Sequence, residues 1–432
     1  MSDIKVTLIL PSLNVADYIE EALKSVCEQT LKDIEMLCID AGSNDGTLEI
    51  IEKYASSDSR IRIIDSEKRS YGYQVNLGID NARGKYIAVL ETDDFVSSDM
   101  YGKLYETAEE YDADYVKADY DAFISQDDGK YHFFPRRTFA DLSLYGKVLC
   151  PRENTFIGRD DWYLWQGIYK RDYLKENAIS FSETPGAAFQ DIGFLIWTGF
   201  YAEKAVYLRD TFYHYRIDRE TASSNLGKGL KFSYAEFSAV MEKLGDLDKV
   251  DKSCLELMYA RMAKSFISCY SRIDERPEAV EERHEIYEWF RDKLKSAIDN
   301  GILTENIIFS GHLDKLKLLL ESEEKYFEKN SVNCFDKIIG DKKDFAIFGC
   351  GDFGYNVYRI LKSANKNILC FLDNKESLWG GKINEILIKS PDEALKLSSD
   401  TYIVIANEAH YNDMRDQLVR MGISTDRLIV FR

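Results

Sequence analysis

The sequence lacks the features that mark membrane-embedded, secreted and nucleic-acid-binding proteins. No apolar run approaches the roughly 18 residues of a membrane span, and the opening Met-Ser-Asp-Ile-Lys does not have the layout of a signal peptide. Basic residues are outnumbered, with 56 Lys and Arg against 75 Asp and Glu, and the net charge is −19. Such a charge disfavours nonspecific nucleic-acid binding and docking on anionic lipid. We therefore expect a cytoplasmic protein with no nucleic-acid partner.

Cysteine patterns typical of disulfide frameworks and zinc sites are also missing. The eight cysteines are scattered, without a Cys-x-x-Cys pair or a Cys/His cluster. Cys38 and Cys370 lie in apolar segments, which indicates reduced core thiols. The 432 residues are 45% hydrophobic and 30% charged, which is the composition of a globular protein with room for two or three domains.

The N-terminal part alternates short apolar runs with amphipathic segments. Strands are predicted at residues 6–10, 35–39, 60–64 and 86–90, and helices from residue 17, at 47–55 and at 74–81. Uninterrupted apolar strands are typical of a parallel sheet that is covered on both faces. The β-α-β order adds right-handed crossovers, so the predicted fold class is α/β.

Polar side chains follow three of these strands. They are Asn14, Asp40 and the run Glu91-Thr-Asp93-Asp94. Because ligands of α/β proteins gather at the carboxyl ends of the strands, these side chains offer oxygen ligands to a divalent cation or acceptors to a sugar. An acidic turn after a strand is also common, so the run alone leaves both interpretations open. The first loop has neither GxGxxG nor GxxxxGK[ST], which excludes the usual dinucleotide site and a P-loop there.

Taken in order, these motifs resemble the family-two glycosyltransferases, which have the glycosyltransferase-A fold. The matching pieces are Pro11-x-x-Asn14, the loop 40–47, Asn76-x-Gly78, Ala82-x-Gly84-x-Tyr86-Ile87, Glu91-Thr-Asp93-Asp94, Phe189-Gln190-Asp191 and His214-Tyr215-Arg216. Two positions depart from the family pattern. Many members carry a second acid in place of Ala41 and a glutamate in place of Gln190.

The resemblance implies a site for a nucleotide-diphospho-sugar donor, with UDP favoured. The donor-binding candidates are Pro11, Asn14, Asp40, Asn76, Asp93, His214 and Arg216. Asp40 would accept a hydrogen bond from the uracil ring, and the alternative is an Asp that caps the following helix. Consecutive side chains of an extended segment point to opposite sides, so we expect Asp93 at the ribose and Asp94 at a metal, Mn²⁺ or Mg²⁺. His214 is a second metal candidate with a structural alternative, and Glu91 is the weakest of the acids.

Asp191 is the candidate general base. It stands at the predicted start of an apolar helix at 192–201, where the helix dipole keeps a carboxylate ionised. A merely capping Asp occurs at the same position. The resemblance implies that Asp191 takes the proton of the acceptor hydroxyl while that oxygen attacks the anomeric carbon. Direct attack inverts the configuration, and no covalent nucleophile stands out.

The acceptor side is assigned to the aromatic, poorly periodic segment 131–188. A long segment of this kind is often a functional loop. Trp165 ranks first in it, and ordinary packing is the alternative for any of its aromatics. Gln190, beside the base, is a second weak candidate for the acceptor side. We expect the acceptor to be a growing surface glycan, a lipid-linked oligosaccharide or a glycosylated protein, with at most peripheral contact to the inner face of the membrane.

Three parts are predicted: a catalytic domain at 1–225, a helical linker or accessory region at 226–335, and a Rossmann-like domain at 336–432. The helical region could extend the acceptor site, mediate homo-oligomerisation or act as a spacer. The last part has a GxGxxG motif, Gly349, Gly351 and Gly354, between a predicted strand and a helix, and Asp373 ends the next strand.

The C-terminal motif predicts a possible second nucleotide site. Its glycines would let a pyrophosphate approach the helix N-terminus, and Asp373 could accept ribose hydroxyls. The domain is roughly half of a dinucleotide domain. We therefore expect no NAD, and a structural or oligomerising role stays open.

Two other functions compete with sugar transfer. An NAD-dependent oxidoreductase or epimerase would be centred on the C-terminal motif, but it needs a proton relay such as Tyr-x-x-x-Lys, and no convincing one is found there. The second is a noncatalytic nucleotide-sugar binding protein, which would bind the donor without hydrolysing it.

Overall fold

The computed structural model describes residues 4–126, 129–219, 229–270, 280–308, 310–330, 339–407 and 410–431. The chain divides into two compact units, Met1–Phe123 with Pro135–Leu316, and Ile124–Phe134 with Lys317–Arg432. The predicted boundaries after residues 225 and 335 both fall outside the described ranges. The division into three parts therefore stays a prediction.

Strands and helices alternate at the start of the first unit, as predicted. They are β1 (Val6–Ser12), α1 (Ala16–Cys27), β2 (Ile34–Asp40), α2 (Thr47–Ser57), β3 (Ile61–Asp65), α3 (Tyr71–Asn81) and β4 (Tyr86–Val89). Every residue of β1 and β2 is buried, which explains why their apolar runs are uninterrupted. Helix α3 begins three residues earlier than predicted, because the Ser70 hydroxyl caps it by accepting the Tyr73 N–H at 3.2 Å.

The chain from residue 95 to residue 216 is more regular than its sequence pattern predicts. Its elements are β5 (Phe95–Val96), α4 (Met100–Tyr111), β6 (Tyr115–Ser125), β7 (Tyr131–Arg136), β8 (Val148–Leu149), α5 (Ile157–Asp160), β9 (Gly167–Lys170), α6 (Arg171–Glu176), α7 (Asp191–Tyr201) and β10 (Ala205–Arg216). The segment 131–188 is thus a series of short elements rather than one long loop.

The sheet of the first unit runs in the order β3-β2-β1-β4-β9-β6-β10-β5. Strands β1 to β4 are parallel to one another, as predicted. Strand β9 lies antiparallel between β4 and β6, a position that its sequence does not indicate. Ser12 and Asp40 are paired at the ends of β1 and β2, so the polar residues after these strands lie at one edge.

Four helices follow in the first part of the helical region. They are α8 (Gly229–Leu244), α9 (Lys252–Tyr270), α10 (Val280–Asp299) and α11 (Ser310–Glu321). Most side chains of helix α9 are buried. Its side chains Leu255, Met258, Met262 and Phe266 are in the interior, as their helical spacing predicts. Both α8 and α9 pack against α7.

The second unit contains a smaller parallel sheet. Its elements are α12 (Glu323–Asn330), β11 (Asp344–Phe348), α13 (Asp352–Ser363), β12 (Asn367–Leu372), β13 (Lys382–Ile383), β14 (Ile386–Lys389), β15 (Tyr402–Ala406), α14 (Tyr411–Arg420) and β16 (Leu428–Phe431). The strand order is β13-β14-β12-β11-β15-β16, and only β13 and β14 are antiparallel. The four strands predicted here are present, and the β13–β14 hairpin was not predicted.

The cysteines that the structure describes are free thiols. Burial raises the pKa of Cys38 to about 12, which makes its thiol unreactive, as expected of a core residue. Within the described ranges, no helix is both long and apolar enough to cross a bilayer.

Candidate active site

Asp94, the last acid of the loop after β4, is a buried structural residue. It is 1% exposed. Its Oδ2 accepts the Tyr213 hydroxyl at 2.8 Å and its Oδ1 accepts the Arg216 N–H at 2.7 Å. Burial, followed by the charge of Asp93, raises the pKa of this carboxyl well above its usual range. Asp94 therefore fastens the acidic loop to β10.

Asp93 is the acid of this pair that reaches solvent. Its Oδ2 accepts the Arg219 guanidinium at 2.8 Å, and both side chains stay about one fifth exposed. Its carbonyl accepts the Arg216 Nε–H at 3.0 Å. The alternation of side chains is as expected, but the outcome for Asp94 is not. The residue predicted to bind the metal points into the protein, and Asp93 points to the outside.

Glu91 connects the acidic loop to the start of α3. Its Oε1 accepts the Tyr71 hydroxyl at 2.5 Å. Burial first, and then the charges of Asp93 and Asp191, raise the pKa of Glu91 to about 8, although the Tyr71 bond lowers it. The Tyr71 N–H donates to the carbonyl of Gly186 at 2.9 Å. Tyr71 thereby links the acidic loop to the segment that precedes α7.

Asp191 is the first residue of α7 and lies within electrostatic reach of that loop. Burial raises the pKa of Asp191, and the positive charges of Arg261 and Lys117 lower it in part. Phe189, two residues before, has a left-handed backbone with φ of 66°. A bulky residue rarely adopts this conformation, and strain of this kind is often found at functional sites. Asp191 is thus a carboxylate at a helix N-terminus, within electrostatic reach of two buried cations.

Gln190 is buried and holds the turn before α7. It is 1% exposed. Its Nε2 donates to the carbonyls of Thr184 and Gly186 at 2.7 and 3.1 Å. The acceptor-side prediction for Gln190 is therefore not favoured by its surroundings, because a fully buried side chain has no surface for a sugar.

Trp165 is likewise an interior residue. It is 5% exposed and stacks on Tyr213, Tyr163 and Tyr215, with ring centroids 4.1, 4.6 and 5.2 Å apart. The Tyr213 ring carries the hydroxyl that binds Asp94. Packing, the alternative in the sequence, accounts for Trp165. Trp165 packs on the tyrosine that binds the acidic loop, and it does not line a surface.

His214 and Arg216 lie in β10 and their side chains already have protein partners. The Arg216 Nη2 donates to Glu21 at 2.7 Å, and the His214 Nε2 lies 3.1 Å from the Ser97 hydroxyl. Burial lowers the pKa of His214 to about 4, so the ring is neutral at pH 7. Its ring packs on Phe95 at 4.6 Å. Arg216 braces the acidic loop and His214 packs on the strand that follows it, and their predicted contacts with phosphate or metal stay predictions.

Asp40 shapes the loop that follows β2. Its Oδ2 accepts the N–H groups of Gly42 and Ser43, each at 2.9 Å, and its Oδ1 accepts the Ser43 hydroxyl at 2.5 Å. It does not cap α2, because Asp45 binds the Thr47 N–H and hydroxyl at 3.1 and 2.6 Å. The contact of Asp40 with a uracil ring stays a prediction.

The loop after β1 joins the other two strand ends. The Pro11 carbonyl accepts the Thr92 hydroxyl at 3.1 Å, which connects it to the acidic loop. Asn14 is exposed, has φ of 53°, and accepts the Asn44 N–H at 2.9 Å through its Oδ1. The three polar strand ends therefore meet at one edge, as the sequence predicts.

Asn76 is occupied by a different segment. Its Oδ1 accepts the Phe181 N–H at 2.9 Å and its Nδ2 donates to the Phe181 carbonyl at 3.0 Å. Because both the oxygen and the nitrogen of the Asn76 amide bond to the backbone of Phe181, the side chain holds that segment in place. The prediction that Asn76 binds the donor gains no support from these contacts.

Two residues of this site were missed in the sequence. Tyr71 bridges Glu91 to the segment before α7, and Arg219 pairs with Asp93. Only their neighbourhood gave a signal, since Tyr71 lies in a Gly/Tyr-rich loop and Arg219 follows the His214-Tyr-Arg216 motif by three residues. Neither position shows its partner without the fold.

No group of three His, Cys, Asp or Glu side chains in the described ranges could hold a metal ion by itself. One partly exposed carboxylate at this edge of the sheet is compatible with a cation that takes most of its ligands from phosphate oxygens and water, as Mg²⁺ does. Asp93 is the side chain of the acidic loop that fits this role.

The second unit has a cavity of about 550 Å³ at the ends of β11 and β15. Gly351 lies on its wall, and a Cβ added there would meet nothing within 4 Å. Gly349 and Gly354 are required for packing instead, because their Cβ atoms would lie 2.6 Å from the Ala406 carbonyl oxygen and 2.0 Å from that of Gly349. The three glycines of the motif thus have different roles.

Asp373 lines the same cavity, but both of its carboxylate oxygens already accept backbone N–H groups. Its Oδ2 accepts the Cys350 N–H at 2.9 Å and its Oδ1 accepts the Lys375 N–H at 2.8 Å. His410 and Asp413 also line the cavity. The predicted ribose contact of Asp373 would have to use the lone pairs that these bonds leave.

The fold of the first unit is that of the glycosyltransferase-A class. The crystal structure of S. aureus TarS 1–349 in complex with UDP-GlcNAc is similar to this chain with a TM-score of 0.55 and 16% identity, covering 77% of this chain and 92% of that one. Residues 7–166 match the Glycosyl transferase family 2 model. The chain therefore contains a family 2 glycosyltransferase domain.

Sequence relatives point to the same family. The uncharacterized glycosyltransferase EpsJ of Bacillus subtilis (strain 168) is 32% identical over 216 residues, which are 49% of this chain and 60% of that protein. Glycosyltransferase GlyG of Streptococcus pneumoniae serotype 4 (strain ATCC BAA-334 / TIGR4) is 26% identical over 272 residues, 60% of this chain and 87% of GlyG. Residues 341–429 match a second model, C2185-like, N-terminal. The chain spans only about 60% of the length of EpsJ.

Proposed function

We propose that this chain transfers a sugar from a nucleotide-diphospho-sugar to a hydroxyl of an acceptor, with inversion at the anomeric carbon. The observation that carries the proposal is Asp191, a carboxylate at the N-terminus of α7 whose charge is felt by Glu91 on the acidic loop. A base must lie near the donor edge and must be held in one orientation. Asp191 takes the proton of the acceptor hydroxyl during attack.

The donor lies at the edge formed by the ends of β1, β2 and β4. Asp40 and Asn14 would contact the nucleoside, and Asp93 the ribose-diphosphate part. The Arg219 guanidinium beside Asp93 is suited to an oxygen of the diphosphate. UDP is favoured over other nucleotides by the resemblance and by the UDP-GlcNAc bound to TarS.

A divalent cation, Mn²⁺ or Mg²⁺, would be held by Asp93 together with the donor phosphates. When bound, it would neutralise charge on the leaving nucleotide. We assign the ligand role to Asp93 instead of Asp94, because both oxygens of Asp94 are bonded inside the protein. The acceptor remains a growing surface glycan, a lipid-linked oligosaccharide or a glycosylated protein, and the cytoplasmic location stays a prediction.

A donor screen tests this function. The full chain with Mn²⁺ or Mg²⁺ is incubated with UDP-, GDP- and dTDP-sugars, with and without acceptor glycans, and released nucleotide is measured. We expect slow hydrolysis or transfer with at least one UDP-sugar, abolished by EDTA. Absence of nucleotide release from the whole panel would contradict the proposal, and binding without release would favour a noncatalytic binding protein.

A nucleotide site in the second unit is a second proposal, carried by the open cavity beside Gly351. Titration of the full chain with UDP and with NAD tests it. We expect no binding of NAD. Tight binding of NAD would favour the oxidoreductase or epimerase alternative, and a chain that binds neither nucleotide outside the first unit would leave the domain a structural or oligomerising role.

A further inference from the structure

The N-cap residue of helix α7 makes no capping bond with its side chain. The first N–H groups of a helix have no partner within it and need acceptors from elsewhere. Gln190 occupies the N-cap position, but its side chain makes no capping bond and turns to Thr184 and Gly186. The helix that carries the proposed base is therefore not secured by the residue that precedes it.

Glu236 reaches the first turn of α7 from helix α8. It is 4% exposed, its carboxylate accepts the Ser182 hydroxyl, and it lies against Gly193, the third residue of α7. The approach is close, since a Cβ added to Gly193 would lie 3.2 Å from the Glu236 Oε2. One buried carboxylate thus connects α8, the segment before α7, and the first turn of α7.

A buried glutamate at position 236 lowers the stability of the fold, and a helix that served only as a spacer would not need one. A buried carboxylate without strong partners destabilises a fold, and an apolar side chain would pack here at lower cost. Burial raises the pKa of Glu236 to about 7; the bond from Ser182 lowers it in part, and the charge of Asp191 raises it. Glu236 and Asp191 therefore share the same helix end.

Helix α9 contributes to the same surroundings. Arg261 is 3% exposed and donates to the carbonyl of Asp161 through its Nη2. Its charge is the largest influence that keeps the pKa of Asp191 from rising further. Both helices lie outside residues 7–166, the part that matches the family model.

We propose that Glu236 is a positioning residue that holds the first turn of α7 and thereby orients Asp191, so that helix α8 completes the active site. This inference rests on the proposed function, in which Asp191 is the base. It gives the helical region a role in catalysis that its amphipathic sequence does not reveal.

Steady-state kinetics of three variants test the inference, with a UDP-sugar that the wild type uses. Glu236→Ala removes the acceptor, and we expect kcat to fall about tenfold or more with the donor KM within about twofold, because small misplacements of a catalytic group have large effects. Glu236→Gln should restore kcat to within about threefold of wild type. The glutamine side chain has the same size, and its amide oxygen can still accept the Ser182 hydroxyl.

The Gln variant also separates positioning from proton transfer. If Glu236 were the base, Glu236→Gln would abolish turnover, since an amide cannot take the proton. Glu242→Ala is the matched control, an exposed glutamate of the same helix, and should leave kcat unchanged. Wild-type kcat in Glu236→Ala, or lost turnover in Glu236→Gln, would overturn the inference.

A further variant tests the inference in case Glu236→Ala fails to fold. Gly193→Ala favours helix by propensity, but its Cβ crowds the Glu236 carboxylate. We expect a folded protein with kcat reduced severalfold and donor KM unchanged, and wild-type kcat would overturn the inference. A wild type that is inactive towards all donors would instead contradict the proposed function.

Discussion

Asp93 and Asp94 differ in burial and partners although they are adjacent in the sequence. Asp94 is enclosed by Tyr213 and Arg216 from β10, whereas Asp93 faces Arg219 at the surface. Alternation along an extended segment explains why the two side chains diverge. It does not say which side is the interior. That depends on β10, which joins the loop from more than 100 positions further along the chain.

The matched substitutions Asp94→Asn and Asp93→Asn should separate stability from ligand binding. Asp94→Asn replaces one accepting oxygen by an NH₂ group, which either meets the Arg216 N–H or makes the Tyr213 hydroxyl reverse its bond, and we expect a loss of about 1–3 kcal/mol in unfolding free energy. Asp93→Asn should unfold close to wild type but lose metal-dependent nucleotide affinity. Denaturant unfolding and nucleotide titration measure the two effects. The reverse result would return the metal to Asp94.

Glu91 should make stability depend on pH. Its pKa is raised from 4.5 to about 8 by burial, so the folded protein keeps a proton that the unfolded chain releases in this window. The unfolded chain then binds fewer protons, and stability falls as pH rises from 4.5 to 8. Glu91→Gln has no such proton and still accepts the Tyr71 hydroxyl.

Thermal and denaturant unfolding from pH 5 to 8 test this prediction. With each rise of one pH unit, the unfolding free energy of Glu91→Gln should increase relative to that of the wild type by up to about 1.4 kcal/mol. Glu67→Gln, at an exposed glutamate, is the control and should run parallel to the wild type. A constant difference between Glu91→Gln and wild type would mean that the Glu91 carboxyl is ionised throughout.

The sequence predicted which residues lie close together, but it predicted less well which way their side chains point. Asn14, Asp40 and the acidic loop were expected at one edge, and they meet there. Trp165 and Gln190 were assigned to the acceptor side, with packing as the alternative for Trp165, and both are buried. Burial is decided by neighbours from distant segments, and a single sequence does not contain that pairing.

At the scale of elements, the GxGxxG motif at the start of α13 combines two kinds of glycine. Gly354 lies where a Cβ would be 2.0 Å from the Gly349 carbonyl oxygen, so its absence lets the helix pack on the strand. Gly351 has open space in the cavity. The motif predicts a strand-turn-helix in both cases, but only the fold distinguishes packing from ligand access.

The same substitution at these two glycines should give different results. Gly354→Ala should lower the thermal unfolding temperature of the full chain, because backbone must move to admit the methyl group, at a cost of about 1–3 kcal/mol. Gly351→Ala should leave it near wild type. Equal destabilisation by both would mean that Gly351 is also a packing residue.

Elements with a strong period were predicted together with their order, whereas the place of a short strand in the sheet was not predicted. The strands β1 to β4 and the helices between them follow from uninterrupted apolar runs and helical spacing. Strand β9 has four residues and pairs antiparallel between two long-range partners, β4 and β6. Its place in the sheet depends on those partners, so local sequence could not give it.

At the scale of the whole molecule, the first unit contains all residues that we assign to sugar transfer. They come from the family 2 match at 7–166, from α7 and β10, and from the helices α8 and α9. The resemblance in the sequence reached as far as Arg216. The contribution of α8 was not visible, because Glu236 is one buried acid in an otherwise ordinary amphipathic helix.

The comparison of Asp191→Asn with wild type tests the central claim most directly. Asparagine keeps the size of the side chain but cannot accept a proton, and a general base contributes about 10²- to 10⁴-fold. We predict unchanged UDP affinity by titration and a kcat lower by at least about 10²-fold, while Asp172→Asn, at an exposed Asp in the first turn of α6, keeps wild-type turnover. Wild-type kcat in Asp191→Asn would contradict the account.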